Sequence, residues 1–352
     1  MKVALVYDRV NKWGGAERVL LAFSKIFPEA ELFTSVYNDK KAPWAKPFYI
    51  KTSFLQKIPL AKSSHELYPA LMPLAFEGFN FDGYDLVISV TSESAKGIIT
   101  KPGTLHICYC LTPTRYLWSG FNDYFRNPVL RFISKPAVAY LKKWDLIASS
   151  RPDKYIAIST EVKERIKKYY GQDSEIIFPP IQDLKTESGS GDYFLVVSRM
   201  VFYKRIDIAI KAFNKLNLPL KIVGSGSQLK GLKRLAKNNI EFLEDLTDDE
   251  LSVYYKNCRA LIFPGLEDFG LVMAEAQSFG KPVIAFRGGG AFDIIKEGIT
   301  GELFSEQTEE SLIKTMEIFI NKSYNTTLCK ENSLRFSFEN FKKQFLDAID
   351  KS

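Results

Sequence analysis

The feature that most constrains the fold is a series of short, uninterrupted apolar runs separated by helix-length segments. KVALVY (2–7), YDLVISV (84–90), LHICYC (105–110) and YIAIS (155–159) form one series; FLVVS (194–198), LKIVG (220–224), ALIFP (260–264) and PVIAF (282–286) form a second. A strand with one face in water alternates apolar and polar residues, whereas these runs do not, so both faces must be covered, as in a parallel sheet clad by helices. The expected class is α/β with doubly wound, Rossmann-like sheets. Between the two series lies PPIQDLKTESGSGD (179–192), a polar, turn-rich stretch that reads as a linker. It divides the chain into domains over 1–182 and 183–334. Beyond them ENFKKQFLDAID (339–350) has apolar residues at helical spacing. It predicts an amphipathic helix within a segment, 335–352, that packs back on the first domain.

With 46% hydrophobic and 25% charged residues over 352 positions, there is material for two buried cores and no signature of disorder. The opening MKVALVYDRV meets Asp8 and Arg9 after a short run, so neither a signal peptide nor a membrane span is expected there. That favours the cytoplasm. The four cysteines lack zinc spacing and only His65 and His106 are available as histidines, so reduced thiols and no metal site are expected. Charge is unevenly placed: residues 1–180 carry 25 Lys+Arg against 17 Asp+Glu, and the remainder 23 against 24. Such an excess raises the local concentration of anionic partners, or serves only as a solubilising surface.

Which ligand the strand ends hold can be narrowed. After LKIVG comes Gly224-Ser225-Gly226, but the third glycine of a dinucleotide fingerprint would fall at 229, which is Leu. Gly14-Gly15 lies several residues beyond the first strand, which also argues against a nicotinamide cofactor. A diphosphate fits better. Arg199 and Lys204, in SRMVFYKR, follow the strand FLVVS and supply a planar fork and a mobile point charge for phosphate oxygens. In PGLEDFGLVMAEAQSFGKPVIA (264–285), the chain leaves a strand and enters a helix at about Gly270, so free amides and the positive helix end form an anion site. Carboxylates beside phosphates would repel them, so Glu267 and Glu275 should meet hydroxyls on either side: Glu267 a transferred sugar, Glu275 a ribose. On the residues alone, a helix-dipole partner and a surface glutamate remain equally open for the two.

The Glu, seven residues, Glu pattern in GLEDFGLVMAEAQSFGKPVIA resembles the signature of the retaining glycosyltransferases of family 4, which have the GT-B fold. Similar stretches run through the chain: VYDRVNKWGGAERVL (6–20), CYCLTPTRYLW (108–118), IAISTEVKERIKKYYG (156–171), SRMVFYK (198–204), LKIVGSG (220–226) and GGGAFDIIKEGITGELF (288–304). The resemblance implies two Rossmann-like domains facing a central cleft. It implies catalytic roles for Arg199 and Lys204 on the donor diphosphate and for Glu267 at the donor sugar, with Glu275 on the ribose. The amides of Phe269, Gly270, Leu271 and Val272 would complete the phosphate site. Gly14 and Gly15 would form the glycine loop beside donor phosphates and acceptor, and Phe242 and Leu243 would lie beside the nucleotide base. Glu244 stands where many members have glycine. Where many relatives have a histidine near the transferred sugar this chain has Leu111, leaving Thr112, Thr114 and Arg115 as the nearest polar groups.

The reaction so implied is retaining transfer of a hexose, mannose first, from GDP-mannose or a UDP-hexose to a glycan or polyprenyl-linked acceptor, with the leaving phosphate helping to deprotonate the acceptor. No Asp-x-Asp occurs in the chain. Charge on the leaving diphosphate must then be met by Arg199, Lys204 and the helix terminus, and neither metal nor other cofactor is expected. The alternatives are a sugar-nucleotide epimerase or hydrolase of the same architecture, and a noncatalytic basic binding protein. Nucleic acid is not an expected partner, since the interleaved aromatic and glycine motif of an RNA-recognition sheet is missing. Asp8 and Glu17 read as structural capping groups. The apolar segment ELYPALMPLAFEGFNF (66–81), near Lys57 and Lys62, is a candidate for peripheral contact with an anionic membrane; its other reading is a helix packed inside the domain.

Overall fold

The computed structural model of the chain describes residues 1–64, 67–125, 127–181, 189 and 191–351, apart from the side chains of residues 122, 123 and 130. The expected boundary at 182/183 and residues 182–188 and 190 of the linker lie outside the described residues. The chain divides into two compact units, Met1–Pro180 with Lys342–Ser352, and Ile181–Phe341.

Unit 1 contains strands β1 (Val3–Tyr7), β2 (Glu31–Thr34), β3 (Ile50–Thr52), β4 (Leu86–Thr91), β5 (Leu105–Cys110), β6 (Lys154–Ala157) and β7 (Glu175–Ile176). They form one sheet in the order β3-β2-β1-β4-β5-β6-β7, parallel throughout. Its helices are α1 (Gly15–Ile26), α2 (Met72–Glu77), α3 (Phe121–Tyr124), α4 (Pro128–Ala148) and α5 (Thr160–Tyr170). Every residue of β1 and β4 is buried, as the unbroken apolar runs require. The sequence also shows how α5 is bounded. Ser159 caps its N-terminus, accepting from the Val162 amide at 3.1 Å, and Gly171 ends it in the left-handed region at φ 69°.

Unit 2 contains β8 (Phe194–Val197), β9 (Leu220–Val223), β10 (Ile240–Leu243), β11 (Ala260–Phe263), β12 (Val283–Phe286) and β13 (Gly301–Phe304), ordered β10-β9-β8-β11-β12-β13 and again parallel. Around it lie α6 (Ile206–Leu216), α7 (Leu229–Leu235), α8 (Asp248–Asn257), α9 (Leu271–Ser278), α10 (Ala291–Ile294), α11 (Glu309–Ile320) and α12 (Thr326–Ser333). Its core joins sheet residues such as Phe194, Ile222 and Ile262 to Phe213 of α6 and Met316 of α11. The helix α13 (Phe338–Asp350) begins in unit 2 and belongs to unit 1 from Lys342 onward. There Phe345 is fully buried, its ring 4.7 Å from that of Phe23 of α1. All four cysteines are free and buried.

His106, on β5, is fully buried, with Nε2 2.9 Å from the Ser89 hydroxyl on β4. Burial, and secondarily the positive charge of Arg151, holds its pKa down at about 3. Below the unfolded pKa of about 6.5 the unfolded chain takes up a proton that the folded one refuses, so stability is full above that value and falls as pH drops toward 3. Between pH 7 and 5 this group alone should remove about 2 kcal/mol from the stability of unit 1. Urea titrations at the two pH values should show a correspondingly smaller loss in a His106→Gln variant; equal losses would contradict the assignment.

Candidate functional site

In each unit the strand order reverses once, between β1 and β4 and between β8 and β11. Loops leaving the C-terminal ends of those neighbouring strands diverge there, opening the crevice in which α/β sheets hold ligands. In unit 2 the loops after β8 and β11 carry the charged residues singled out in the sequence. Arg199 follows β8 and donates from Nη2 to the Tyr203 hydroxyl at 2.7 Å. Lys204 ends the same loop. Its ammonium pairs with the Glu267 carboxylate from the loop after β11, in a setting where the two side chains are only 12% and 21% exposed. The Lys204 ammonium also lies 5.6 and 5.7 Å from the ring centres of Tyr203 and Phe263. The structure thus joins Lys204 and Glu267 directly.

Glycines explain how these loops hold their shape. Gly224 and Gly226 have φ of 135° and 152°, and a Cβ at either would collide with the carbonyl of Ser198 or of Met200. Backbone bonds tie the loops together: the Met200 amide donates to Ser225 O at 2.7 Å and the Gln228 amide to Met200 O at 2.9 Å. The Gly-x-Gly that resembles half a dinucleotide fingerprint therefore braces the Arg199 loop. A second brace supports Glu267. The Gly290 amide donates to Glu267 O at 3.0 Å, and a Cβ on Gly289 or Gly290 would strike the carbonyls of Glu267 and Phe269. Gln307 Nε2 donates to Pro264 O at 2.9 Å on the other side of the loop.

The helix α9 begins as expected beside this pair. Gly270 is its N-cap at φ 90°, and as a glycine it places no side chain of its own over the first turn. The amides at Leu271 and Val272 start the helix, Gly270 supplies the cap, and Phe269 is buried edge-on against Phe336 at 5.4 Å. Glu275 is not the surface side chain that the sequence left open: it is buried to 4% exposure and accepts from Tyr255 Oη at 3.1 Å. Tyr255, from α8, is itself stacked on Phe279 with ring centres 5.4 Å apart. The sequence reading missed Tyr255, because only tertiary packing brings α8 against α9. Phe242 and Leu243 close β10, two strands from β8. Leu243 O accepts from the Gly224 amide at 2.9 Å, while Lys233, paired with Glu244, lies 5.9 Å from the Phe242 ring.

The unit 1 residues occupy the ends of β1 and β5. Gly14 caps α1 in an extended conformation open to any residue, φ 174°; what restricts it is Glu17, whose Oε2 would lie 3.1 Å from a Cβ. Gly15 opens the helix and is exposed. Asp8 and Glu17 are structural: Glu17 accepts from Tyr7 Oη at 2.6 Å, and Asp8 from Thr91 Oγ1 and the amides of Ser92, Ser94 and Ala95 at 2.8–2.9 Å. Burial, then the nearby Glu93, pushes the Asp8 carboxyl up from its usual range. Arg9 pairs with Glu93 at 2.5 Å across the same strand ends. Thr112 and Thr114 are engaged within unit 1 itself. Thr112 is 6% exposed and accepts from Arg165 Nη1 at 3.3 Å. Thr114 is 2% exposed and donates at 3.0 Å to Asp145, which also takes Lys96 Nζ at 2.5 Å and Trp118 Nε1 at 2.7 Å. Their hydroxyls serve the unit's interior. Leu111 continues the β4 ladder through Thr91 O at 2.8 Å, and Arg115 is half-buried nearby. Among the described residues, no group of three or more His, Cys, Asp or Glu is placed to hold a metal ion.

Comparison with known proteins bears on unit 2 first: residues 181–335 match the family model described as glycosyl transferases group 1. Unit 2 thus resembles a group 1 glycosyltransferase domain. An uncharacterized glycosyltransferase of Methanocaldococcus jannaschii is 29% identical over 202 residues, 54% of this chain and 58% of that protein. The O-antigen chain mannosyltransferase C of Escherichia coli is 28% identical over 216 residues, 56% of each. The match thus spans little more than half the length of these curated relatives. Over the whole chain, the structure of Anabaena Alr3699/HepE in complex with UDP and glucose superposes with a TM-score of 0.74 at 17% identity, covering 100% of both chains. The fold is GT-B, with a Rossmann-like sheet in each unit.

The glycine brace separates steric from conformational causes. Gly290 has φ −65°, which alanine adopts freely, so Gly290→Ala should lower stability by about 1–3 kcal/mol purely through collision with Phe269 O. Gly231, inside α7 with open space around it, is the control. Its change to alanine should raise stability by about 1 kcal/mol. Thermal unfolding of both variants checks the pair.

Proposed function

We propose that the chain is a retaining glycosyltransferase that moves a hexose from a nucleotide-diphosphate sugar to a glycan or polyprenyl-linked acceptor without a metal ion. The observation that carries this reading is the convergence of Arg199, the Lys204–Glu267 pair and the glycine-capped start of α9 at the strand-order reversal of the domain that matches the group 1 model. Bond cleavage at the anomeric carbon leaves negative charge on the diphosphate. Arg199, Lys204 and the amides of Phe269–Val272 are preorganised to receive it in a partly desolvated setting. The pairing of Lys204 with Glu267 gives the site a built-in exchange. A donor phosphate takes over the ammonium, and the released carboxylate accepts from a sugar hydroxyl. Both charges stay paired throughout, which limits the desolvation cost of binding.

Glu275, oriented by Tyr255, is assigned to the ribose, and Phe242 and Leu243 to the base. Mannose is the preferred hexose, with GDP-mannose as donor, on the strength of the mannosyltransferase relative; the UDP and glucose bound by the Anabaena protein keep UDP-hexoses as the second choice. Retention follows the front-face course, with the departing phosphate taking the acceptor proton. Gly14, Gly15 and Arg115 of unit 1 are assigned to the acceptor side, and the enzyme is placed at the cytoplasmic face of an anionic membrane. Among the described residues, no helix is long and apolar enough to cross a membrane.

Arg199→Ala and Lys204→Ala should each reduce turnover about 100- to 1000-fold while leaving the fold intact by circular dichroism. Near-normal rates in both would remove the site. A panel of nucleotide sugars separates the donors: the true one, at about 100 times its Kd, should stabilise the protein by about 2.7 kcal/mol. If UDP-glucose raises the melting temperature and GDP-mannose does not, the mannose assignment falls.

A further inference from the structure

We propose that the exposed apolar face of α4 is the surface that docks this protein on an anionic lipid bilayer. The inference deepens the membrane part of the proposed function and is independent of the transfer chemistry. Along α4, Val129, Phe132, Ile133, Pro136, Tyr140 and Ile147 recur at the three- and four-residue steps that share one side of a helix. That side faces outward: Phe132 is 72% exposed, Ile133 67% and Val129 64%. The opposite side holds the helix in place through buried Val138, Leu141, Asp145 and Ala148. The stripe is therefore surplus to what anchors α4 in unit 1.

Charge identifies the occupant. The helix carries Arg131, Lys135, Lys142 and Lys143, and its one acid, Asp145, is turned inward onto Lys96. From Leu111 to Trp144 there are six Arg or Lys residues and a single acid, Asp123. Lys135 Nζ lies 5.5 Å from the Phe132 ring centre, at the border of the stripe, where lipid phosphates would sit if Phe132 reached the acyl boundary. A helix of 21 residues, about 31 Å long, with Lys135 and Lys143 exposed beside the stripe while Arg131 and Lys142 are partly buried against Phe125 and Trp118, is built to lie in the interface rather than to span it. The charges that α4 exposes are positive, the sign that complements anionic lipid headgroups.

The segment 66–81, in sequence a candidate either for membrane contact or for a helix packed inside the domain, follows the second reading. Glu66 lies outside the described residues, and Met72, Ala75, Phe76 and Phe81 are buried in the core of unit 1. Only Leu67 and Leu74 remain exposed among its large aliphatic residues.

Cosedimentation of the full chain with vesicles of 30% phosphatidylglycerol in phosphatidylcholine tests the proposal. The parent protein should bind, and binding should weaken as salt rises. A Phe132→Glu/Ile133→Glu variant should bind about 10-fold or more weakly at an unchanged melting temperature, while Leu67→Glu/Leu74→Glu should bind like the parent. If the parent does not bind, the membrane reading itself fails. If it binds and the α4 variant binds equally, or the Leu67/Leu74 variant alone loses binding, the surface is misassigned. If the α4 variant instead abolishes a dimer seen by sedimentation velocity in lipid-free buffer, the face belongs to a second copy of the chain and the proposal is overturned.

Discussion

Every strand pairing in both sheets is parallel, and that single constraint organises the molecule. A parallel neighbour can be reached only by carrying the chain back along the sheet, so each strand is followed by a crossover, and all the C-terminal strand ends lie along one edge. Residues at such ends need not contribute to the core, because the ladder and the helices already cover the sheet. The chemistry-bearing side chains of unit 2 stand there, on loops whose ends are rigid even though the loops themselves are irregular.

The two units use the same strand order for different ends. At the reversal point of unit 1, Asp8 gathers a hydroxyl and three amides, Arg9 closes on Glu93, and the space between β1 and β4 is occupied by the protein's own polar groups. At the corresponding point of unit 2 the protein supplies instead a cation, a cation–carboxylate pair and a helix start capped by glycine. A carboxylate satisfied by backbone amides has little reason to release them for a ligand, whereas a pair of opposite charges can be opened by an anion that replaces one member. Glycine supports both loops of unit 2 in one way, by letting backbone lie on backbone where any side chain would intervene.

Much of this could be read in the sequence, and what could not has a common cause. The eight apolar runs are strands because their residues are buried on both faces. The strands without such a run are mostly at sheet edges: β3 and β7 in unit 1, β10 and β13 in unit 2. Their few residues include Lys51, Glu175, Glu241 and Glu302, which erase the apolar pattern; the first three belong to strands partly open to solvent, whereas Glu302 is buried and satisfied by Lys322 and Tyr324. The exception, β2, is interior, but its ELFT is only four residues long. That Arg199, Lys204 and Glu267 stand on loops after apolar strands was legible in the sequence; charge there is common on a surface, so the roles expected of them rested on the family resemblance. Tyr255 beside Glu275, the glycine brace at 288–290 and the inward turn of Thr114 to Asp145 were not, since each depends on which distant segments meet. The exposed stripe of α4 has the same periodicity as a buried one; burial alone tells them apart.

The path of α13 has a consequence for biosynthesis. Phe345, placed against Phe23 and Phe27, is part of the interior of unit 1, yet it is separated from the rest of that unit by the whole of unit 2. On the ribosome, unit 2 is complete and free to fold while unit 1, translated earlier, still lacks the aromatic plug of its interior. The half made first must finish last, and until residues 342–350 emerge its unfilled hollow beside α1 is a natural point of attack for chaperones.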